Sequence, residues 1–415
     1  MMVTHVRYQV VVFMMTLAAL TYLDRVCISL VAPDIMRDLH LSRIQMSYVF
    51  SAFTLAYALF EIPTAWWADR IGSRRVLTRI VLWWSTFTMA TAGSFSYTAL
   101  LTVRFLFGAG EAGAWPNAAR VFTRWIPARE RGRVQGVFFA SAHGSGGLTP
   151  IAVAYLATFL HWRTIFLLFG CIGFFWALLW HGWFRDEPRD HPSVNREERD
   201  LIESTRGLAP GHGGSWKEVF RTRSLLPLCL QYFANSYGFY FFITWLPAYL
   251  SKSRGMVHTE LALFAGLPLL LSVGADITGG MATDELSRRF GRRIGRCGVG
   301  TVAYLFAAAV MATGTIITSG RAAGFLIALG GAASMFTLAP AWATAIELGG
   351  KNSGVLSAVM NTAGQIGGML SPLVLAYLVD RFNNWSLPLH VLSCLYLMAA
   401  LCWIVIQPEP NRKTR

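Results

Sequence analysis

Apolar stretches of about 19–26 residues recur twelve times along the chain, at approximately 8–32, 44–67, 76–94, 98–121, 134–158, 163–184, 225–250, 260–282, 295–317, 321–346, 354–379 and 386–408. Each is long enough to cross roughly 30 Å of hydrocarbon as a helix. Lipid offers no partner to backbone N–H and C=O groups, so open segments of this kind span only as helices. The pattern predicts an all-α integral membrane protein with twelve transmembrane helices. The first run is longer than the apolar region of a signal peptide and reads as a spanning helix, with no cleavable leader.

The longest polar stretch, Arg185 to Ser224, follows the sixth apolar run. It divides the chain into an N-terminal six-helix bundle (1–184), a cytoplasmic linker (185–224) and a C-terminal six-helix bundle (225–415). Within the linker, Ser193 to Thr205 reads as a short helix opened by a serine cap. Trp216, Val219 and Phe220 share one face of a second helix suited to the membrane surface.

The two bundles repeat. Gly132 to Leu156 aligns without gaps on Gly354 to Leu378, with eight of 25 pairs identical, among them Gly146/Gly368, Pro150/Pro372 and Tyr155/Tyr377. The fifth and eleventh helices are therefore equivalents, and His143 stands opposite Gln365. Duplicated parallel halves fit an alternating-access transporter with its site near the membrane midplane.

Composition fits this class: 54% hydrophobic, 14% charged, mean hydropathy +0.45. A net charge of +14 alone would suggest nucleic acid. The arginines instead lie in short runs between apolar segments. With both termini cytoplasmic, 27 of the 36 Lys and Arg fall on the cytoplasmic side and seven outside. That bias fixes the orientation, and the inner (cytoplasmic) membrane is the expected location. The six cysteines lie in or beside apolar segments without metal-type spacing and read as packing residues. No P-loop, metal-ligand spacing or supported nucleophile motif appears, which leaves ATP-driven transport and enzymatic activity without sequence support. No cofactor is expected, only protons as the coupling ion.

The last two arginines lie inside the apolar runs. Asp24 and Arg25 fall in the first, Arg104 and Glu111 in the fourth. A charge at the bilayer centre costs about 2.5–3.5 kcal/mol on insertion scales, so intramembrane charges mark a functional site by default. Arg104, Gly108, Glu111 and Trp115 share one helix face. Arg104 and Glu111 are two turns, or roughly 10 Å, apart. Depth along the helices suggests that Asp24 pairs with Arg104. Glu111 would then be a lone carboxylate whose charged form desolvation disfavours, as proton coupling requires. Arg25, on a face with Tyr22 and Ser29, would meet a substrate anion through its bidentate fork. Tyr57, Asn235, Trp342, Asn361 and Gln365 add polar and aromatic groups, each singly a helix–helix contact but as a set suited to a polyhydroxylated ligand. Asp276 is a further protonation, gating or helix-contact residue. Glu61 and Glu347 read as solvated or gate residues, and Asp34 as a cap.

Between the second and third segments lies Asp69-Arg70-Ile71-Gly72-Ser73-Arg74-Arg75, and between the eighth and ninth Asp284 to Arg293 (DELSRRFGRR). Each has an Asp at a helix end, a turn-permitting Gly and anchoring arginines. Here the chain resembles the major facilitator superfamily, although Ala65 stands where a leading Gly is usual and Ser73 precedes the basic pair. The resemblance implies the major facilitator fold and assigns Asp69, Arg70, Gly72, Arg74 and Asp284 to a cytoplasmic conformational gate, with a pure topology anchor as the alternative.

Arg104 to Trp125 (RFLFGAGEAGAWPNAARVFTRW) is similar to the fourth helix of the anion:cation symporter family. That family holds hexonate, hexuronate and glucarate transporters and the sialin-type and vesicular glutamate carriers. Thr21 to Ile35, Tyr57 to Arg74, Phe239 to Leu250 and the RDEPRDHPSVN stretch from Arg185 extend the likeness. It implies that Asp24 and Glu111 carry protons, that Arg25 binds a substrate carboxylate, and that Arg104, Tyr22 and Tyr57 match family positions. His143 replaces a common Gln. Asn235 stands where vesicular members carry Arg, favouring proton-driven uptake. The expectation is a monomeric, proton-coupled symporter of a small organic anion, foremost a sugar acid, embedded in the bilayer and without a nucleic-acid partner. The alternatives are an organophosphate/phosphate-type anion exchanger and a non-transporting solute receptor.

Overall fold

A computed structural model describes residues 4–127, 130–204, 219–349 and 353–407. All regular structure among them is helical. The chain forms two compact units, Met1–Ala209 and Pro210–Arg415. The first contains α1 (Val6–Asp38), α2 (Arg43–Ile71), α3 (Ser73–Ala92), α4 (Tyr97–Glu111), α5 (Ala114–Trp125), α6 (Arg131–Leu156), α7 (Trp162–Trp183) and α8 (Arg196–Ser204). The second contains α9 (Leu225–Thr244), α10 (Leu246–Arg254), α11 (His258–Phe290), α12 (Val299–Ile316, entered through a π-helical turn at Arg293–Gly298), α13 (Gly320–Met335), α14 (Leu338–Gly349), α15 (Ser353–Phe382) and α16 (Leu387–Val405). Among the described residues, seven helical stretches are long and apolar enough to cross a membrane by themselves. At 33 residues, α1 and α11 reach roughly 50 Å and extend beyond the hydrocarbon.

Three expected single spans are each delivered in two pieces: α4 with α5, α9 with α10, and α13 with α14. Each break has a local cause. Pro116, Pro247 and Pro340 lack an N–H and crowd the carbonyl four residues earlier, at Ala112, Ile243 and Phe336. The proline positions were visible in the sequence. Other prolines, such as Pro33 and Pro150, sit inside unbroken helices, so proline alone is an incomplete signal.

Each unit packs by one pairing scheme. In the first, α1 lies against α6, α2 against α4 and α3 against α7. In the second, α9 lies against α15, α11 against α13 and α12 against α16. Small residues permit the closest of these approaches. A Cβ on Gly108 of α4 would lie 2.3 Å from the Phe53 carbonyl oxygen of α2, and one on Gly279 of α11 would lie 2.5 Å from that of Phe336 beside α13. The repeated prolines Pro150 and Pro372 both sit within their long helices, α6 and α15.

The stretch expected as linker begins as part of the first unit. Asp186 accepts the Arg74 backbone N–H (3.0 Å), Arg124 pairs with Glu187, and Trp125 donates its indole N–H to the Arg185 carbonyl (3.0 Å). Helix α8 is capped by Asn195, whose side chain accepts from the Glu198 N–H (2.9 Å), rather than by Ser193. Asn195 is the residue directly before the first helical position, where a side-chain oxygen reaches the orphan N–H groups. Fully buried Glu198 accepts from Thr4 Oγ1 (2.7 Å), the Val6 and Arg7 N–H groups (3.1 Å each) and the Arg7 guanidinium (3.0 Å). A carboxylate at the positive end of α1 satisfies its first donors. Trp216 lies outside the described residues; Val219 is buried and Phe220 exposed.

Candidate functional site

The charged residues of the first unit converge. Arg25 is buried on α1, and Glu111, the last residue of α4, is wholly buried. The Arg25 Nε–H donates to Glu111 Oε1 in a buried ion pair. Aromatic rings wall the Arg25 guanidinium: Tyr57 at 4.9 Å, Phe53 at 5.2 Å and Tyr22 at 5.6 Å from the ring centroids. Such faces attract a desolvated cation. The Arg104 guanidinium sits 4.3 Å from the Phe107 centroid and 5.5 Å from that of Phe53. One ring, Phe53, thus touches both arginines.

The expected Asp24–Arg104 pair does not form. Asp24 and Arg104 are both buried, yet among the described residues neither makes a salt bridge. Asp24 Oδ1 and Arg104 Nε also find no hydrogen-bond partner. Glu111 is taken by Arg25, and Arg104, about two turns before Glu111 on α4, lays its guanidinium against Phe107 and Phe53. Asp24, one residue from Arg25, points about 100° away around α1. Glu111 is therefore a paired carboxylate rather than a lone one, although its Oε2 remains without a hydrogen bond.

Around this core, Tyr22 meets the His143 ring at 5.6 Å and Trp115 at 6.2 Å. Trp115 stacks on Phe139 at 5.3 Å. Buried His143 thus comes from α6 to the same cluster as α1, α2 and the α4–α5 junction. Sequence reading did not single out Phe53 and Phe107. Phe53 is four positions before Tyr57, and Phe107 three beyond Arg104, spacings that put each on its neighbour's face.

The second unit presents neutral groups. Asn235 on α9 donates to the Ser334 carbonyl (2.8 Å) and to Thr337 Oγ1 (3.4 Å), at the interruption between α13 and α14. It satisfies backbone that the broken helix leaves exposed. Trp342 donates its indole N–H to the Tyr232 hydroxyl (3.2 Å). Gln365 on α15 holds its Oε1 buried without a hydrogen-bond partner, one turn from half-buried Asn361. Of the expected gate residues, Gly72 and Arg74 both stand against Asp186 in the first unit. The side chains of Asp69 and Arg70 lie outside the described residues. Gly72 adopts φ +94°, the Arg74 guanidinium donates to the His181 carbonyl (2.8 and 2.6 Å), and Asp284 is exposed.

Comparison with known proteins agrees with this architecture. The model of the Major Facilitator Superfamily matches residues 14–372. The chain is 33% identical over 406 residues to a probable sulfoacetate transporter, SauU, of Cupriavidus necator, covering 97% of this chain and 94% of that protein. It is 28% identical to the probable galactarate/D-glucarate transporter GarP of Escherichia coli, covering 98% and 96%. A solved bacterial homolog of the human lysosomal transporter Spinster, inward-facing and unoccupied, shares the fold with a TM-score of 0.78 at 18% identity, over 96% of both chains. The chain belongs to the Major Facilitator Superfamily, and it is a multi-pass membrane transporter rather than an enzyme.

Proposed function

From that membership we propose that the chain is a proton-coupled symporter importing a small organic anion by alternating access, with sugar acids the foremost substrates. The observation that carries the proposal is the buried Arg25–Glu111 ion pair. A proton on Glu111 removes its charge and releases Arg25. An incoming carboxylate then takes the vacated guanidinium through a bidentate contact. The pair is neutral before and after, so anion and proton cross together without leaving a charge uncompensated in low dielectric. On the inner side, loss of the proton restores the carboxylate, which reclaims Arg25 and expels the anion. Asp24, buried one residue before Arg25, is the second proton site in this scheme, and buried Arg104 the cation that stays charged throughout. Tyr22, Tyr57 and His143 meet substrate hydroxyls.

A second reading replaces the sugar acid by a short sulfonate. It rests on the 33% identity to a probable sulfoacetate transporter, and a sulfonate presents oxyanions to the same arginine fork. Uptake into proteoliposomes of a labelled panel (galactonate, glucuronate, glucarate, sulfoacetate), with and without an inward proton gradient, tests both. Accumulation of one acid only under the gradient supports symport and identifies the substrate. Equal uptake in both conditions would defeat proton coupling.

A further inference from the structure

Away from the charged core, α2, α3 and α4 enclose a groove of about 430 Å³ that opens to the surface. Phe60, Pro63 and Thr64 of α2, Arg79 and Trp83 of α3, and Ala109 of α4 are among its walls. Phe60 and Trp83 are 40% and 48% exposed, although both are large and apolar. Trp83 is held upright as a wall because its indole N–H donates to the Leu106 carbonyl at 2.8 Å.

The charge beside the groove is arranged by depth. Arg75, Arg79 and Trp83 follow i, i+4, i+8 spacing and are all exposed, so they form one stripe on α3. Arg74 stands outside the stripe, with its guanidinium on the His181 carbonyl. Helix α3 begins at Ser73, at the cytoplasmic membrane face in the orientation that the Lys and Arg distribution favours. A rise of ~1.5 Å per residue puts Arg75 about 3 Å, Arg79 about 9 Å and Trp83 about 15 Å into the helix. The two cations therefore lie at headgroup depth and the apolar walls at acyl-chain depth. The inner leaflet carries the anionic lipids, and basic pockets between helices on that side suit their headgroups.

We propose that this groove binds an anionic glycerophospholipid, one acyl chain lying between Phe60 and Trp83 and the phosphate engaging Arg75 and Arg79. The lipid is a resident of the fold, separate from the coupling charges, so the inference stands or falls independently of the transport reading.

Native mass spectrometry of the full-length protein in detergent tests it, with phosphatidylglycerol and phosphatidylcholine of identical acyl chains as probes. The wild type retains phosphatidylglycerol preferentially. The double variant Arg75→Gln/Arg79→Gln lowers that preference about tenfold or more, as expected for two cations acting near a headgroup. Ala109→Phe, which fills the groove and keeps both arginines, weakens binding of both lipids. Free glycerol phosphate displaces neither. Equal retention of the two lipids by the wild type, an unchanged preference in the double variant, undiminished binding in Ala109→Phe, or displacement by glycerol phosphate would each overturn the proposal. Variants are compared at matched monodispersity, which separates lost binding from lost folding.

Discussion

The two units share a packing scheme and differ in what they bury. Among the described residues, every buried ionised or ionisable acid, base and histidine side chain outside the cysteines and tyrosines lies in the first unit: Arg7, Asp24, Arg25, Arg104, Glu111, His143, His191 and Glu198. The second unit fills its buried polar positions with neutral groups such as Gln231, Asn235, Ser334, Thr337 and Thr344. One apolar code thus builds both units, and their chemistry is divided. Fully buried charged groups sit in the first unit, whereas the ion pairs of the second, such as Arg296 with Glu347, stay partly exposed.

The largest expected effect strikes that division directly. Glu111→Gln removes the proton-accepting carboxylate, and gradient-driven accumulation in proteoliposomes is expected to vanish while substrate exchange persists. Arg25→Ala strands a buried carboxylate, a change of about 3–5 kcal/mol in comparable buried pairs. It should lower both uptake and the thermal midpoint in detergent. Gln365→Ala in the second unit should cost far less uptake than either. Normal accumulation by Glu111→Gln would move proton coupling out of the first unit.

A smaller effect should be the same in both units, because it tests the packing they share. Gly108→Val and Gly279→Val each drive a side chain into a facing carbonyl, and overpacking typically costs about 1–3 kcal/mol. Comparable drops in thermal midpoint are expected. A drop in one unit alone would show that the shared scheme is not equally tight.

Asn235→Ala comes next. An interhelical hydrogen bond in a membrane protein averages about 0.6 kcal/mol. A slight loss of stability with uptake intact fits the bond to Ser334. Lost uptake at unchanged stability would instead make Asn235 a ligand residue, as its position in the sequence suggested.

The smallest effect concerns acidity at the docking stretch that follows α7. His191 is buried against Trp183 (4.8 Å) and Trp125 (5.7 Å), and the Ser193 N–H donates to its Nδ1. Burial holds its pKa below the ordinary 6.5; Arg185 pushes the same way and Glu198 opposes. The folded protein thus takes up this proton less readily than the unfolded chain. Its contribution is intact above the ordinary value and declines as pH falls through that value toward the depressed one. His191→Gln should flatten the stability profile measured between pH 7 and 5. An unchanged slope would assign the acid sensitivity to other groups.

Much of this was legible beforehand. Apolar runs of bilayer length announce spanning helices because lipid forbids unsatisfied backbone. Intramembrane charges announce a site because they are costly. The duplication was readable from Gly146/Gly368 and Pro150/Pro372. The partner of Glu111 was not. Depth along two helices is known from sequence only to within a few residues, and an arginine side chain reaches further than that uncertainty. The structural role of Arg185–Ser204 was hidden for a related reason: Asp186, Glu187 and Glu198 look like solvated linker charges until Arg74, Arg124 and the first turn of α1 are brought to them.

The sequence by itself determined the class of molecule, the helices and the presence of four costly charges, because hydrophobicity and backbone hydrogen bonding act locally along the chain. Only the tertiary structure decided which charges neutralise each other, which amide holds a broken helix together and where a groove opens. Those outcomes depend on the axial register and rotation of one helix against another, set by close packing across residues far apart in the chain.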